Sequence, residues 1–376
     1  MRSGAKIVVA PGMDPTAVNR MFSVPEAFVS MCKIVREDES TGFLNPTQAQ
    51  VRTIRAIEAN KWTFVTKYRQ AKITTITLMH LLLRDCMYLQ GIAGMLIADT
   101  NATAEMAFKR LRFAYESLPE PVKMPLAAGS KGSKKELEFI HGGNIIIKSL
   151  EGRAPAVGHS IDRLHITELG EAIHQQKAII NLFPGINKRP NAKLVIESTP
   201  GRAGSFHERM WHEALRREGQ FFPLFLEWWK DETCRIPAPK DFVPTEAELD
   251  YMGSHHGMDL DNLFFMRTRL RSEFVGDTRL YSAKYPSDAY DGWIGSQRPM
   301  MPEDVLRRLL DSAIEDPQEG SHGCGEFERP MEGREYEVYA DPTGFGSVGD
   351  PAALTVFDKS DLREVAVWSG REAPDR

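Results

Sequence analysis

The chain has 376 residues, enough for more than one buried core, and its 42% hydrophobic and 26% charged residues are ordinary for a soluble globular protein. A formal net charge of −5 excludes a globally basic nucleic-acid binder, so any contact to DNA must come from a local basic surface. The 4 cysteines have no paired metal-ligand spacing and read as reduced thiols, no leader-like apolar core opens the chain, and no uncharged apolar run approaches the roughly 20 residues of a membrane span.

Residues 1–42 read as an N-terminal arm with a short helix through Ala27, Phe28, Met31 and Ile34. Pro46 fits the first turn of a helix over 49–60, with Val51, Ile54 and Ile57 on one face. Gln48 stands where an amide can read an adenine edge or simply be solvated at a helix start. The apolar run from Trp62 to Val65 predicts a strand, and Thr74 to Leu89, apolar on nearly every face, predicts a buried helix. Between them lies Lys67-Tyr68-Arg69-Gln70-Ala71-Lys72-Ile73-Thr74-Thr75. A loop from strand end to helix start aims backbone N–H groups and the positive end of a helix dipole at one point, where a phosphate can sit. The loop lacks the glycines of the standard phosphate-binding pattern, and its lysines stand at unusual positions.

Further strands are expected at 94–99, 164–168 and 193–198, with a helix over 103–115 and a hairpin around His141-Gly142-Gly143-Asn144. Strands alternating with helices predict a doubly wound α/β fold. Pro237, Pro239 and Pro244 suggest a linker before a helix over 262–274 that carries Arg267, Arg269 and Arg271. Residues 301–335, rich in Pro, Gly and acidic side chains, read as a second linker, followed by strands at 336–341, 352–358 and 364–368.

Glu168 and Glu197 each end or nearly end an apolar strand, the place where α/β sheets keep their chemistry. A carboxylate at 168 can orient a water for in-line attack on a γ-phosphate or take its proton, or it can be a solvated strand end. The run resembles the Walker B element of P-loop ATPases, with Thr167 in place of that element's usual preceding aspartate; its hydroxyl can hold a magnesium-bound water but cannot neutralise the cation. Ser198 and Thr199, before Pro200-Gly201, stand where hydroxyls can sense a γ-phosphate, or in an ordinary turn.

In this order the elements resemble the large terminase subunit of tailed bacteriophages. Many members carry Lys-x-Arg-Gln-x-Gly-x-Ser-Thr, which Lys67, Arg69, Gln70, Thr74 and Thr75 match, with Lys72 in place of glycine. The hairpin, Gly152-Arg153, the run ending at Glu168, Glu197-Ser198-Thr199-Pro200-Gly201, Leu226-Glu227-Trp228-Trp229 and Tyr285-Pro286 follow in the same order. The resemblance implies a P-loop ATPase core (RecA-like, ASCE, a mainly parallel sheet) over 43–235, a lid over 236–300, and the start of an RNase H-like nuclease over 336–376.

It further implies that Gln48 contacts adenine, that Lys67, Arg69, Gln70, Thr74 and Thr75 bind ATP, with the phosphate lysine either Lys67 or Lys72, and that Thr74 and Thr167 lie on the Mg side. Glu168 would be catalytic, Glu197, Ser198 and Thr199 would couple hydrolysis to motion, and Arg153 or Arg202 would be a neighbour's arginine finger. Asp341 and Asp350 would begin a Mg or Mn nuclease site, inactive when only its opening strands are present. Lys131, Lys134, Lys135, Arg267 and Arg271 are candidates to track the DNA backbone, against the alternative of a solvated charged face for each alone. The implied partners are double-stranded viral DNA, the portal protein, the small terminase subunit and further copies in a ring of five, all in the host cytoplasm and with no membrane. A helicase-like ATPase, or a nucleotide-binding scaffold without turnover, is the competing expectation.

Overall fold

A computed structural model describes residues 6–36, 38–130, 133, 135–151, 160–172, 179–180, 182–183, 186, 191–293, 318–319, 325–341, 352–361 and 363–370. The chain forms two compact units, Met1–Ser296 and Gln297–Arg376. Among the described residues no helix is long and apolar enough to cross a membrane.

The first unit opens with α1 (Pro15–Ser23) and α2 (Ala27–Met31), then pairs β1 (Lys33–Val35) with β2 (Thr41–Phe43). Ile34 therefore lies in a strand rather than in the helix expected there. Helix α3 (Gln48–Ala59) starts at a capping box in which Thr47 and Gln50 satisfy each other's backbone N–H groups, so Pro46 precedes the cap.

Among the described residues seven strands form the main sheet, in the order β5-β6-β4-β7-β8-β3-β9. They are β3 (Trp62–Thr66), β4 (Ala93–Ala98), β5 (Glu136–Glu138), β6 (Asn144–Ser149), β7 (Arg163–Thr167), β8 (Lys193–Ser198) and β9 (Phe222–Phe225). All pairings are parallel except β5 with β6, the expected hairpin. Strand β8 lies between the strand that feeds the 67–75 loop and the strand that ends at Glu168.

Alternate side chains leave opposite faces of a strand. Phe64, Ile97, Leu164, Ile166, Leu194 and Ile196 fill one core with Trp211 of α7 (Phe206–Leu215). Val65, Leu96 and Val195 pack on the other side against α4 (Ile73–Thr77), α5 (Asp85–Tyr88) and α6 (Asn101–Glu116). Position 197 has the parity of Val195, so Glu197 emerges toward α4.

Between α4 and α5 the helix widens over Leu78–Arg84 into π-type turns. This segment is not purely apolar. Arg84 contacts Asp85 at 2.8 Å and Glu58 at 2.7 Å, and Arg163 at the start of β7 reaches Asp85 at 2.5 Å. Arg84, Asp85 and Arg163 are buried and mutually paired, as burial demands, and exposed Glu58 adds its carboxylate at the edge of the cluster.

Helices α8 (Glu246–Ser254), α9 (Leu260–Ser272) and α10 (Thr278–Lys284) complete the first unit. In the second unit β10 (Gln318–Glu319), β11 (Gly325–Glu326), β12 (Tyr336–Asp341), β13 (Ala352–Asp358) and β14 (Glu364–Gly370) form an antiparallel sheet, in the order β10-β11-β14-β13-β12. Strands β10 and β11 fall where a linker was expected, because Gly325 and Glu326 pair with Val367 and Ala366 of β14.

Candidate nucleotide site

Parallel pairing of β3, β8 and β7 sets three strand ends side by side, and the residues that matter leave from those ends. Lys67 N–H donates to the Ser198 carbonyl at 3.0 Å, and Glu168 N–H donates to the Glu197 carbonyl at 2.9 Å. The Lys67 ammonium sits 2.7 Å from Glu168 Oε1 and 3.0 Å from Glu197 Oε2. Thr74 Oγ1 donates to Glu197 Oε1 at 2.7 Å and lies 3.1 Å from Thr167 Oγ1. His165 Nε2 is 3.3 Å from Glu197 Oε1.

Burial opposes the charge on Lys67, but Glu197 and Glu168 outweigh it and hold the ammonium above the ordinary lysine range. For Glu197, burial pushes the carboxyl up, while Lys67 and the His165 bond overcome that and hold it below the usual carboxylate range. Glu168 goes the other way. Burial and the Glu197 charge raise its carboxyl above the ordinary value, against the pull of Lys67. Its side chain remains 28% exposed, so it faces the open side of the site, whereas that of Glu197 is 0% exposed.

The loop turns through two left-handed residues, Gln70 (φ 66°) and Lys72 (φ 55°, ψ 27°). Lys72 thus keeps the conformation that glycine adopts freely, and its side chain is exposed. Against the pattern GxxxxGK[ST], with Thr74 as the hydroxyl residue, the lysine position holds Ile73, which is buried. Lys67, at the strand end, brings the ammonium in from the opposite end of the loop.

The loop is held from several sides. Gln50 Nε2 donates to the Ala71 carbonyl at 3.1 Å. Arg69 N–H donates to the Lys284 carbonyl at 2.7 Å, with its guanidinium 3.8 Å from Glu273. The Tyr68 hydroxyl donates to buried Asp231. Gln48, by contrast, is exposed at the first position of α3.

No family model matches the sequence, and no curated protein does. Solved structures do match. The HK97 bacteriophage large terminase aligns over 92% of this chain and 67% of its own, at 14% identity with a TM-score of 0.54. The fold is that of a phage large terminase. The ATPase domain of the Thermus phage P74-26 large terminase covers 65% of this chain and 94% of its own (14% identity, TM-score 0.44). The large terminase of another thermophilic bacteriophage covers 87% and 70% (10% identity, TM-score 0.41).

Within this terminase fold, the turn after β8 touches the turn after β7. Ser198 Oγ accepts from Gly170 N–H at 3.0 Å, and Thr199 is buried beside it. Glu168 itself is left-handed (φ 54°, ψ 40°), an uncommon backbone for a side-chain-bearing residue and of the kind that collects at functional sites. Thr75 is half-buried at the start of α4, and Arg202 is exposed in the turn after Gly201.

Among the DNA-contact candidates, Arg267 is tied inward: Nε donates to Glu248 Oε1 at 2.8 Å, and the guanidinium lies over Phe242, 4.3 Å from its centroid. Arg271 and Lys135 are exposed. Lys131, Lys134, Arg153 and Asp350 lie outside the described residues. Asp341 ends β12, paired with Ala353. Among the described residues no group of three or more His, Cys, Asp or Glu side chains is placed to hold a metal ion.

The sequence reading passed over three contributors. One is Gln50, whose signal was present as the Thr47-x-x-Gln50 capping box. The other two, His165 and the Tyr68–Asp231 pair, follow from strand order and lid packing and carry no local signature.

Proposed function

We propose that this chain is an ATP-hydrolysing motor of the large-terminase kind, which couples hydrolysis to the movement of double-stranded viral DNA into a capsid. The observation that carries this is the Lys67 ammonium held between Glu168 and Glu197 at the joined ends of β3, β7 and β8, beside a strand–loop–helix turn. A left-handed loop and a helix start suit the phosphates. Gln50 is better placed than Gln48 to line the base end, being buried and bonded to the loop.

Glu168 is the base in this reading. Its raised carboxyl makes it a stronger proton acceptor than an ordinary glutamate, and it faces the open side of the site. Lys67 neutralises it before nucleotide arrives. Phosphate oxygens compete for the ammonium and leave the carboxylate to hold the attacking water. Movement of the 168–171 turn passes to the β8 turn through the Gly170–Ser198 bond.

The oxygen donors Thr74, Thr167 and Glu197 suit a hard divalent cation such as Mg, which favours oxygen and retains waters. A cation held there would supply charge neutralisation to the nucleotide's phosphates. The portal protein, a small terminase subunit and further copies of the chain in a ring are the proposed partners, with Arg202 or Arg153 reaching a neighbour's site. Residues from Tyr336 onward are proposed to begin an RNase H-like nuclease that uses Asp341 and Asp350.

The test is ATP turnover, with and without DNA, by the wild-type chain and by Glu168→Gln. Loss of about a hundredfold or more in turnover with nucleotide binding retained is expected. Wild-type turnover in the variant would overturn the assignment.

A further inference from the structure

We propose that Glu197, rather than the residue before Glu168, supplies the carboxylate on the cation side of the nucleotide site, so that the acidic function has moved sideways from β7 to β8. The inference rests on the reading of the site as one for ATP with a divalent cation. In P-loop NTPases that cation lies between the loop's Ser or Thr and a strand-end aspartate. Here the residue before Glu168 is Thr167, which offers a hydroxyl and no charge.

The sheet shows how the charge is replaced. Thr167 and Glu197 are direct partners in the parallel register of β7 and β8, so their side chains leave the same face of the sheet. Glu197 Oε1 takes the hydrogen of Thr74 Oγ1 at 2.7 Å, and Thr167 Oγ1 lies 3.1 Å from that same hydroxyl. The carboxylate thus stands behind the loop hydroxyl, as the strand-end aspartate does in the usual arrangement.

The surroundings argue against a purely structural glutamate. Glu197 is 0% exposed, and a buried carboxylate is costly unless its charge is met. One ammonium, Lys67, is shared by two carboxylates, Glu168 and Glu197, and Thr74 Oγ1 and His165 Nε2 both meet Glu197 at Oε1. When phosphate oxygens compete for Lys67, a cation entering with nucleotide would take its place in meeting the Glu197 charge. The inter-turn contact after β8 is made by Ser198, which leaves Glu197 facing the loop.

The experiment is titration of the full chain with a fluorescent ATP analogue in Mg and, separately, in EDTA, for wild type, Glu197→Gln and Thr167→Asp/Glu197→Gln. Wild type should bind more tightly with Mg. Glu197→Gln should lose about tenfold to a hundredfold of that Mg enhancement while its affinity in EDTA stays close to wild type. The double variant returns a carboxylate to position 167, close in size to threonine, and should regain most of the enhancement.

An undiminished Mg enhancement in Glu197→Gln, or equal losses in Mg and EDTA, overturns the proposal while leaving the ATPase reading intact. If Glu197→Gln alone does not fold, the double variant decides: restored enhancement supports the relocation and its absence overturns it. No nucleotide binding by wild type in either condition overturns both readings.

Discussion

Lys67 and Lys72 are the two candidates for the phosphate lysine of the proposed site, and their surroundings differ. Lys67 is buried against Glu168 and Glu197, whereas Lys72 is exposed on a left-handed backbone. Removing one partner of a buried charge cluster leaves the others unmatched, so Lys67→Ala should cost about 3–5 kcal/mol of stability and abolish nucleotide binding. Lys72→Gly restores the residue that tolerates φ 55° and should stabilise the chain by up to about 1 kcal/mol, leaving nucleotide affinity within a few-fold of wild type. Thermal melts and nucleotide titration of the two variants check both outcomes. Loss of binding in Lys72→Gly alone would make Lys72 the phosphate lysine.

At the scale of elements, two turns approach so closely that only glycine fits. A Cβ on Gly201 would lie 2.8 Å from the Gly170 Cα and 2.8 Å from its carbonyl oxygen, backbone against backbone. Gly201→Ala must therefore push the Glu168 turn away from the Ser198 turn, although it removes no functional group. Displacement of about 1 Å in a catalytic site can cost roughly a hundredfold, so turnover should fall to that order with nucleotide binding kept. Gly219→Ala, where no atom lies within 4 Å of an added Cβ, should leave turnover unchanged in the same assay.

This level also marks where the sequence was legible. Apolar runs announced β3, β7 and β8, and the carboxylates at the ends of β7 and β8 marked a candidate site, because period and strand-end position are local properties. That β8 sits between β3 and β7 is not local; it brings Glu197 to Thr74, 123 residues away in sequence. For the same reason the loop, read alone, only departs from the standard phosphate-binding pattern. Its ammonium is judged against neighbours in the chain, while its partners come from two other strands.

Whole-molecule stability should carry the imprint of buried groups that the site does not use. His207 on α7 lies between Phe64 and Trp293, with ring centroids 5.3 and 4.9 Å away, and burial pushes it down to about 3. Buried His80 is pushed down to about 4, by burial first and then by the Arg84 charge. Both are neutral in the folded chain near neutrality. The unfolded chain takes up these protons first as pH falls below about 6.5, so stability is present above that pH and drains away toward the folded values. The loss attributable to His207 should be about 2 kcal/mol at pH 5, from 1.36 kcal/mol per pH unit. Unfolding of wild type and His207→Phe compared between pH 7.5 and 5 isolates this part, since most carboxylates titrate lower. The variant should show a shallower decline, by about one proton's slope, and parallel declines would mean that His207 is already charged in the folded chain.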